Sequence, residues 1–225
     1  MQRVFAVRVG DKYGPHYEEY INSKIPNVTW IKEEVVGPRQ WNKLHPMSLD
    51  IDEPVVVIDI DMMFINNYMD AINYPIKRGE FLAAKSWWRD TRNKNYSVQG
   101  GFQKYYPKDC KYIYDEFMSN VDYWQQYYIN NGITKGPVNG EQYFVLDQLN
   151  KRLKLKLLPN AWFTRWKTTF QESERQHKSW QFNITEKYKN ITGNDYIWMG
   201  DWHPDIKFVH FTHAMNKPTD WKHYK

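Results

Sequence analysis

Pro54-Val55-Val56-Val57-Ile58-Asp59-Ile60-Asp61 decides the fold of this 225-residue chain. A short, unbroken apolar and β-branched run predicts a strand covered on both faces, as in sheets flanked by helices on both sides. The run ends directly in two aspartates one residue apart. In open α/β sheets, ligands gather beyond the carboxyl ends of strands. Asp59 and Asp61 there can share a hard divalent cation, which keeps waters and bridges to substrate phosphates. The structural alternative is that one aspartate caps the next turn and the other is solvated.

Outward from this strand, other elements alternate. Arg3 to Val9 reads as a strand stopped by Gly10-Asp11, and Val28 to Ile31, Phe81 to Lys85, Leu155 to Pro159 and Ile206 to Phe211 read as further strands. Helices are expected over Tyr17 to Lys24, Asp109 to Asn120 and Gln142 to Asn150, and over Gln40 to Leu49 with an interruption at Pro46. Strands alternating with helices predict an α/β fold with a largely parallel sheet. Residues 171–200 carry the weakest pattern and read as a peripheral segment. No internal repeat or low-complexity tract interrupts the chain, so residues 1–225 are expected to form one domain.

Composition narrows the function classes. Lys and Arg number 31 against 26 Asp and Glu, a formal charge of +5; 41% of residues are apolar and 25% charged. That balance excludes disorder as a description of the whole chain. A chain of this size buries about 70% of its unfolded surface, enough for one core. The mild, evenly spread positive charge suits an anionic ligand and argues against nucleic acid as partner. No apolar run is long enough for a transmembrane segment. The apolar stretch at the N-terminus is too short for a signal peptide, and the single cysteine, Cys110, forms no internal disulfide, so a cytoplasmic, reducing location is expected. Aromatic residues reach 17%, with 11 Trp; some are expected to stack on sugar rings or bases.

Lys207 to Phe211 reads as a strand and delivers His210, with Lys217 seven residues on. By itself His210 is more often a core or edge histidine; beside Asp59 and Asp61 it becomes a third metal ligand. A nitrogen donor added to two carboxylates favours Mn²⁺ or Mg²⁺ over Ca²⁺. Lys217 then has the reach to neutralise a phosphate.

These motifs, in order, resemble the GT-A nucleotide-sugar glycosyltransferases, and within them the glycogenin-like retaining enzymes; chlorella-virus glycosyltransferases are similar in length. The resemblance rests on Phe5 to Tyr13, Asn42-Lys43-Leu44, Val55 to Asp61, Gln99-Gly100-Gly101-Phe102, Gly140-Glu141-Gln142, Leu157-Leu158-Pro159 and His210 to Pro218. It implies a GT-A Rossmann-like, mostly parallel sheet flanked by helices, with a nucleotide-binding half over about residues 1–85 and a donor-sugar and acceptor half over about 86–225. It implies a hexosyltransferase that moves a sugar from a UDP-sugar to a hydroxyl of a glycan or other acceptor. Asp59, Asp61 and His210 would hold Mn²⁺ or Mg²⁺. Tyr13 would stack on uracil, and the backbone from Val7 through Arg8 to Val9 would read its edge. Asp59 and Ile60 would lie against the nucleotide, Lys43 and Gln99 against the donor, and Glu141 and Gln142 against the donor sugar as catalytic residues with Lys217, Glu141 being also a candidate nucleophile. Lys217 would stabilise the departing diphosphate.

The chain departs from that pattern on the sugar side. Gln99 stands where the family has Asn and Glu141 where it has Asp; an acid expected before Gly140 is Val138 or Asn139, and the His210–Lys217 spacing is one residue longer than the family's. The stereochemical outcome is therefore open. A haloacid-dehalogenase-like phosphatase also presents Asp-x-Asp after such a strand, and Gly200 to Asp205 fits its second acidic motif, but Met63 stands where it needs Thr. A non-catalytic carbohydrate-binding protein is the third reading, with Trp87, Trp88, Trp162, Trp166 and Trp180 as stacking surfaces. Residues 86–96 and 160–180 are expected on the acceptor side. Four sequons, at Asn27, Asn95, Asn183 and Asn190, read as products of an Asn-rich sequence.

Overall fold

The computed structural model describes residues 2–85, 98–135, 140–159, 162–165 and 206–210. Lys217, the tryptophans at 87, 88, 166 and 180, and the acidic motif at 200–205 lie outside the described residues.

The elements run β1 (Arg3–Val7), α1 (Pro15–Lys24), β2 (Val28–Ile31), a 3₁₀ helix (Arg39–Ser48), β3 (Val55–Ile58), β4 (Met62–Phe64), α2 (Met69–Ile72), β5 (Glu80–Lys85), β6 (Val98–Tyr105), α3 (Pro107–Ser119), α4 (Val121–Asn130), α5 (Glu141–Leu149), β7 (Lys154–Leu157), β8 (Phe163–Arg165) and β9 (Phe208–His210). Six strands form one sheet in the order β2-β1-β3-β6-β5-β7, and β4-β9-β8 form a second. In the large sheet β1 runs parallel to β2 and β3, and β5 to β7; β6 is antiparallel to both its neighbours.

Every side chain of β3 is fully buried, each contributing about 1.5–3 kcal/mol of apolar transfer. Alternation sends Val56 and Ile58 into one core with Val4, Ala6, Leu82 and Phe208, and Val55 and Val57 into the other with Phe5, Phe81, Trp41 and Phe144. Both faces of the sheet are therefore covered, as the apolar run requires. Pro15 opens α1 and Pro107 opens α3, each in the first turn where no amide is needed. Pro46 lies inside the 3₁₀ helix, the tighter coil that replaces the interrupted α-helix expected there. Its Trp41 stacks on Phe117 of α3 at 4.4 Å and 14°.

Strand β6 is buried along its whole length although it reads VQGGFQKY. Among the described residues, Gln103 Oε1 and the Tyr105 hydroxyl have no hydrogen-bond partner, but the nitrogens of Gln103 and Lys104 are met. Gln103 Nε2 donates to Glu141 Oε1 at 2.9 Å, and Lys104 Nζ to Ile72 O and Tyr74 O at 2.8 and 2.9 Å. Gly101 makes room for a close approach: a Cβ there would lie 3.2 Å from Phe163 Cζ and 3.3 Å from Asp59 Oδ2, so that one of them would have to give by a few tenths of an ångström.

Candidate metal and nucleotide site

Asp59, Ile60 and Asp61 span the step between the two sheets. The Asp59 amide donates to Gly101 O at 2.9 Å, prolonging the pairing of β3 with β6. Asp61 directly precedes β4, which pairs antiparallel with β9 so that Met62 faces His210. Ile60 between them is buried with the core. The same alternation leaves both carboxylates facing the ring of His210.

His210 Nε2 lies 3.2 Å from Asp61 Oδ1 and 3.4 Å from Asp59 Oδ2. It is within ion-pair range of both, without the alignment of a hydrogen bond to either. One ligand atom from each of Asp59, Asp61 and His210 falls within 4.8 Å of the others. A buried nitrogen aimed between two carboxylates fits a hard or borderline divalent cation. On the far side of the ring, Gln99 Nε2 is 3.1 Å from His210 Nδ1. The Tyr13 hydroxyl donates to Asp61 Oδ2 at 2.8 Å.

Lys43 closes the other flank. Its ammonium contacts Asp59 Oδ1, donates to Gly100 O at 3.2 Å and lies 3.9 Å from Glu141 Oε2. Burial alone would lower the Lys43 pKa, but Asp59 and then Glu141 outweigh it and hold it near 12. Burial opposes charge on His210 as well, yet Asp61 and Asp59 push its ring up to about 9. Burial would raise Asp59; Lys43 and then His210 keep it below the usual carboxylate range. At Glu141 burial wins and the carboxyl is raised, with Lys43 and Gln103 only partly offsetting it. Burial and then Asp61 push the Tyr13 hydroxyl well above its ordinary range.

These groups face a cavity of about 400 Å³ lined by both polar and apolar groups, within the range of small-molecule sites. Val7, Val9, Tyr13, Lys43, Asp59, Ile60, Asp61, Gln99, Glu141, Gln142 and His210 all line it. Arg8 does not. Its amide is committed to Ile31 O at 2.9 Å, extending β1 along β2, and its guanidinium to Glu18. Alternation turns it away while Val7 and Val9 stay at the cavity. Trp162 is also not a free stacking face, because Tyr74 meets it edge-on at 5.7 Å and Lys207 Nζ lies 4.8 Å above its ring.

The structure adds wall residues that the motifs did not mark: Arg39, Gln40, Ile133, Thr134, Lys135 and Tyr143; Lys12, inside the Phe5 to Tyr13 block, lines it too. Arg39 and Gln40 closely precede Lys43, and their loop is fixed by Asn42. Asn42 Oδ1 accepts from Val35 N and Val36 N at 2.8 and 3.0 Å, and its Nδ2 donates to Gly37 O and Arg39 O at 2.5 and 2.9 Å. A buried Asn flanked by Trp41 was the available signal. Residues 133–135 follow α4 and carried none.

A mostly parallel six-stranded sheet with flanking helices is the GT-A Rossmann-like fold. No protein-family model and no curated protein sequence matches the chain. Solved structures do match. The galactosyltransferase LgtC, solved with donor and acceptor sugar analogues, superposes at a TM-score of 0.57 and 9% identity, covering 99% of this chain and 92% of that one. The glycosyltransferase GlyE of Streptococcus pneumoniae TIGR4 gives 0.54 at 10% identity over 93% of this chain; the chain spans only 55% of that enzyme's length. A glycosyltransferase involved in glycosylation of the major capsid of PBCV-1 gives 0.50 at 14%, covering 92% and 93%. At these identities the likeness is one of fold. Among the described residues, no helix is long and apolar enough to cross a membrane.

Proposed function

We propose that residues 1–225 form a single catalytic domain that transfers a hexose-type sugar from a UDP-sugar to an acceptor hydroxyl, with Asp59, Asp61 and His210 holding Mn²⁺ or Mg²⁺. The observation that carries this reading is the meeting of those three side chains, within 4.8 Å of one another, at the carboxyl end of the central strand beside a cavity of about 400 Å³. The bound cation would supply Lewis-acid stabilisation of a departing diphosphate.

The protein's own groups take the remaining roles. Tyr13 forms a wall beside the first strand where a base has an aromatic neighbour, and the backbone at Val7 and Val9 faces the same space. Lys43 keeps Asp59 ionised at neutral pH and ties it to Gly100. Glu141 and Gln142, at the start of α5, line the cavity on the side assigned to the donor sugar. Glu141 is held by Gln103 and Lys43 and raised in pKa, which suits a hydrogen-bonding role better than that of a nucleophile. We assign retention from the resemblance given above, and a hydrogen-bonded Glu141 accords with a route that has no covalent intermediate. Lys217 is assigned to charge stabilisation on the leaving diphosphate.

The phosphatase reading is disfavoured by the likeness of this sheet to solved glycosyltransferases. An all-β carbohydrate-binding module does not accord with the α/β sheet. The test is a thermal melt with UDP, with Mn²⁺, with both and with neither. A ligand at about 100 times its dissociation constant adds about 2.7 kcal/mol, or about 5–11 °C for a chain of this length. A shift of that size that needs both UDP and Mn²⁺ is expected. Stabilisation by Mg²⁺ with a phosphate mimic such as beryllium fluoride, and none by UDP, would transfer the assignment to phosphoryl chemistry.

A further inference from the structure

We infer that Gln99 is a positioning residue that selects the metal-binding form of His210; the inference rests on the cation site proposed above. The ring form that ligates a cation is the neutral imidazole, which carries one N–H and one lone pair. His210 turns Nε2 toward Asp61 Oδ1 and Asp59 Oδ2, at 3.2 and 3.4 Å, and Nδ1 toward the Gln99 amide at 3.1 Å. Gln99 and His210 are 4% and 5% exposed, so bulk water does not stand in for either.

An amide presents oxygen or nitrogen to the same neighbour by a half-turn of its end group. In this structure the amide nitrogen faces Nδ1; the amide then donates, the ring proton sits on Nε2, and no lone pair faces the carboxylates. When oxygen faces Nδ1, it accepts the Nδ1–H, and the Nε2 lone pair lies between Asp59 and Asp61. Only the second arrangement ligates a cation. Nε2 has no well-formed hydrogen bond to either carboxylate, so its aim is into the space between them. The half-turn that puts the Gln99 oxygen on Nδ1 leaves the Nε2 lone pair for a cation.

The backbone holds Gln99 in place for this role. Strand β6 changes register against β5 between Ala83 and Ala84, so Ala83 faces Gln103 and Ala84 faces Gln99. The intervening stretch contains Gly100 and Gly101, where side chains would meet Gln142 and Asp59 at 3.2 and 3.3 Å. Gln99 thus reaches the ring from one sheet while β9 presents His210 from the other. Its amide is neutral and does not add a third carboxylate to Asp59 and Asp61.

The probe is Mn²⁺ titrated into the full chain, with unbound Mn²⁺ read by its electron paramagnetic resonance signal. Outer partners of ligating histidines are worth about 10–100-fold in metal affinity. Gln99→Leu, which has no acceptor, is expected to weaken Mn²⁺ binding by about that factor. Gln99→Glu, whose carboxylate fixes the Nδ1–H, is expected to bind at least as tightly as the unsubstituted chain. A packing role predicts the reverse order, with Leu tolerated and Glu disruptive. Gln99→Met, closer in shape, replaces Leu if the Leu variant does not melt cooperatively. Mn²⁺ affinity in the Leu or Met variant within about threefold of the unsubstituted chain overturns the role of Gln99 alone. A folded, unsubstituted chain that takes up no Mn²⁺ overturns the cation site and this inference together.

Discussion

Lys43→Met tests the charge balance on which the cavity stands. The Lys43 ammonium contacts Asp59, donates to Gly100 O at 3.2 Å and stands 3.9 Å from Glu141. Lys43 is 5% exposed, so water does not replace it. Removing one partner of a buried charge network costs about 3–5 kcal/mol, because the remaining charges lose their compensation. His210 still faces Asp59, and Asp59 keeps some exposure to the cavity, so about 3 kcal/mol is the appropriate figure. Each kcal/mol moves the melting temperature of a chain this long by about 2–4 °C, giving a fall of about 6–12 °C near neutral pH. The pH dependence has a definite sign. Asp59 is held below its unfolded value by Lys43 and then His210, against burial. That contribution is present above the unfolded pKa and is lost as pH falls through the folded one. Without Lys43, Asp59 loses the larger of the two cations that hold it down, and Glu141, already raised by burial, loses the charge that partly offsets it and rises further. The deficit of the variant is then largest near pH 7 and shrinks as the carboxyls take up protons between about pH 6 and 4. Scanning calorimetry of both chains in EDTA, at about pH 7 and pH 5, measures it. A difference under about 2 °C at neutral pH, or a deficit that does not shrink on acidification, refutes the reasoning.

Three further outcomes are expected. Asp61→Asn should lower Mn²⁺-dependent hydrolysis of the UDP-sugar by more than the roughly 100-fold that outer partners of a metal cost, with a melting temperature close to that of the unsubstituted chain in EDTA. Asn42→Asp keeps the shape but sets oxygen against Gly37 O and Arg39 O, where the amide donated at 2.5 and 2.9 Å; denaturant titration should show a loss of about 2–4 kcal/mol. Gly101→Ala places a methyl group 3.3 Å from Asp59 Oδ2 and 3.2 Å from Phe163 Cζ, and the Mn²⁺ titration should show weaker binding, by several-fold, because Asp59 has to shift.

What the sequence disclosed follows the kind of force that shapes each element. Val55 to Ile58 is legible because both its faces are apolar, and Asp59-Ile60-Asp61 because acids rarely leave such a strand without a use. Val98 to Tyr105 is not legible. It alternates neither with period two nor as an apolar run, and its Gln103 and Lys104 are buried only because Glu141, Ile72 and Tyr74 supply their partners. Such partners lie far along the chain and leave no local pattern. Val121–Asn130 was missed for a related reason: its aromatic residues Tyr123, Trp124 and Tyr127 contact one another along the helix instead of marking one apolar stripe. Lys43 was legible as a donor contact through resemblance, but its ion pair with Asp59 is a tertiary fact. Arg8 shows the limit of a segment-level match, since alternation turns it to Glu18 while both neighbours face the cavity.

The position of the two aspartates explains why His210 was harder to judge than either. Asp59 is tied to the large sheet through Gly101 O at 2.9 Å, and one residue after it Asp61 leads into β4 of the small sheet. His210 reaches the same point only through the register of β9 on β4, in which Met62 faces His210, Met63 faces Val209 and Phe64 faces Phe208. A slip of one residue would turn Val209 toward the carboxylates and His210 toward the core. Phe208 resists that slip, because it is fully buried and packs against Phe64 and Phe102 at 5.3 and 5.6 Å. The aromatic core beneath the small sheet therefore sets the register that completes the triad. Substitutions at Phe208 should act on metal affinity at a distance from the ligands, through that register.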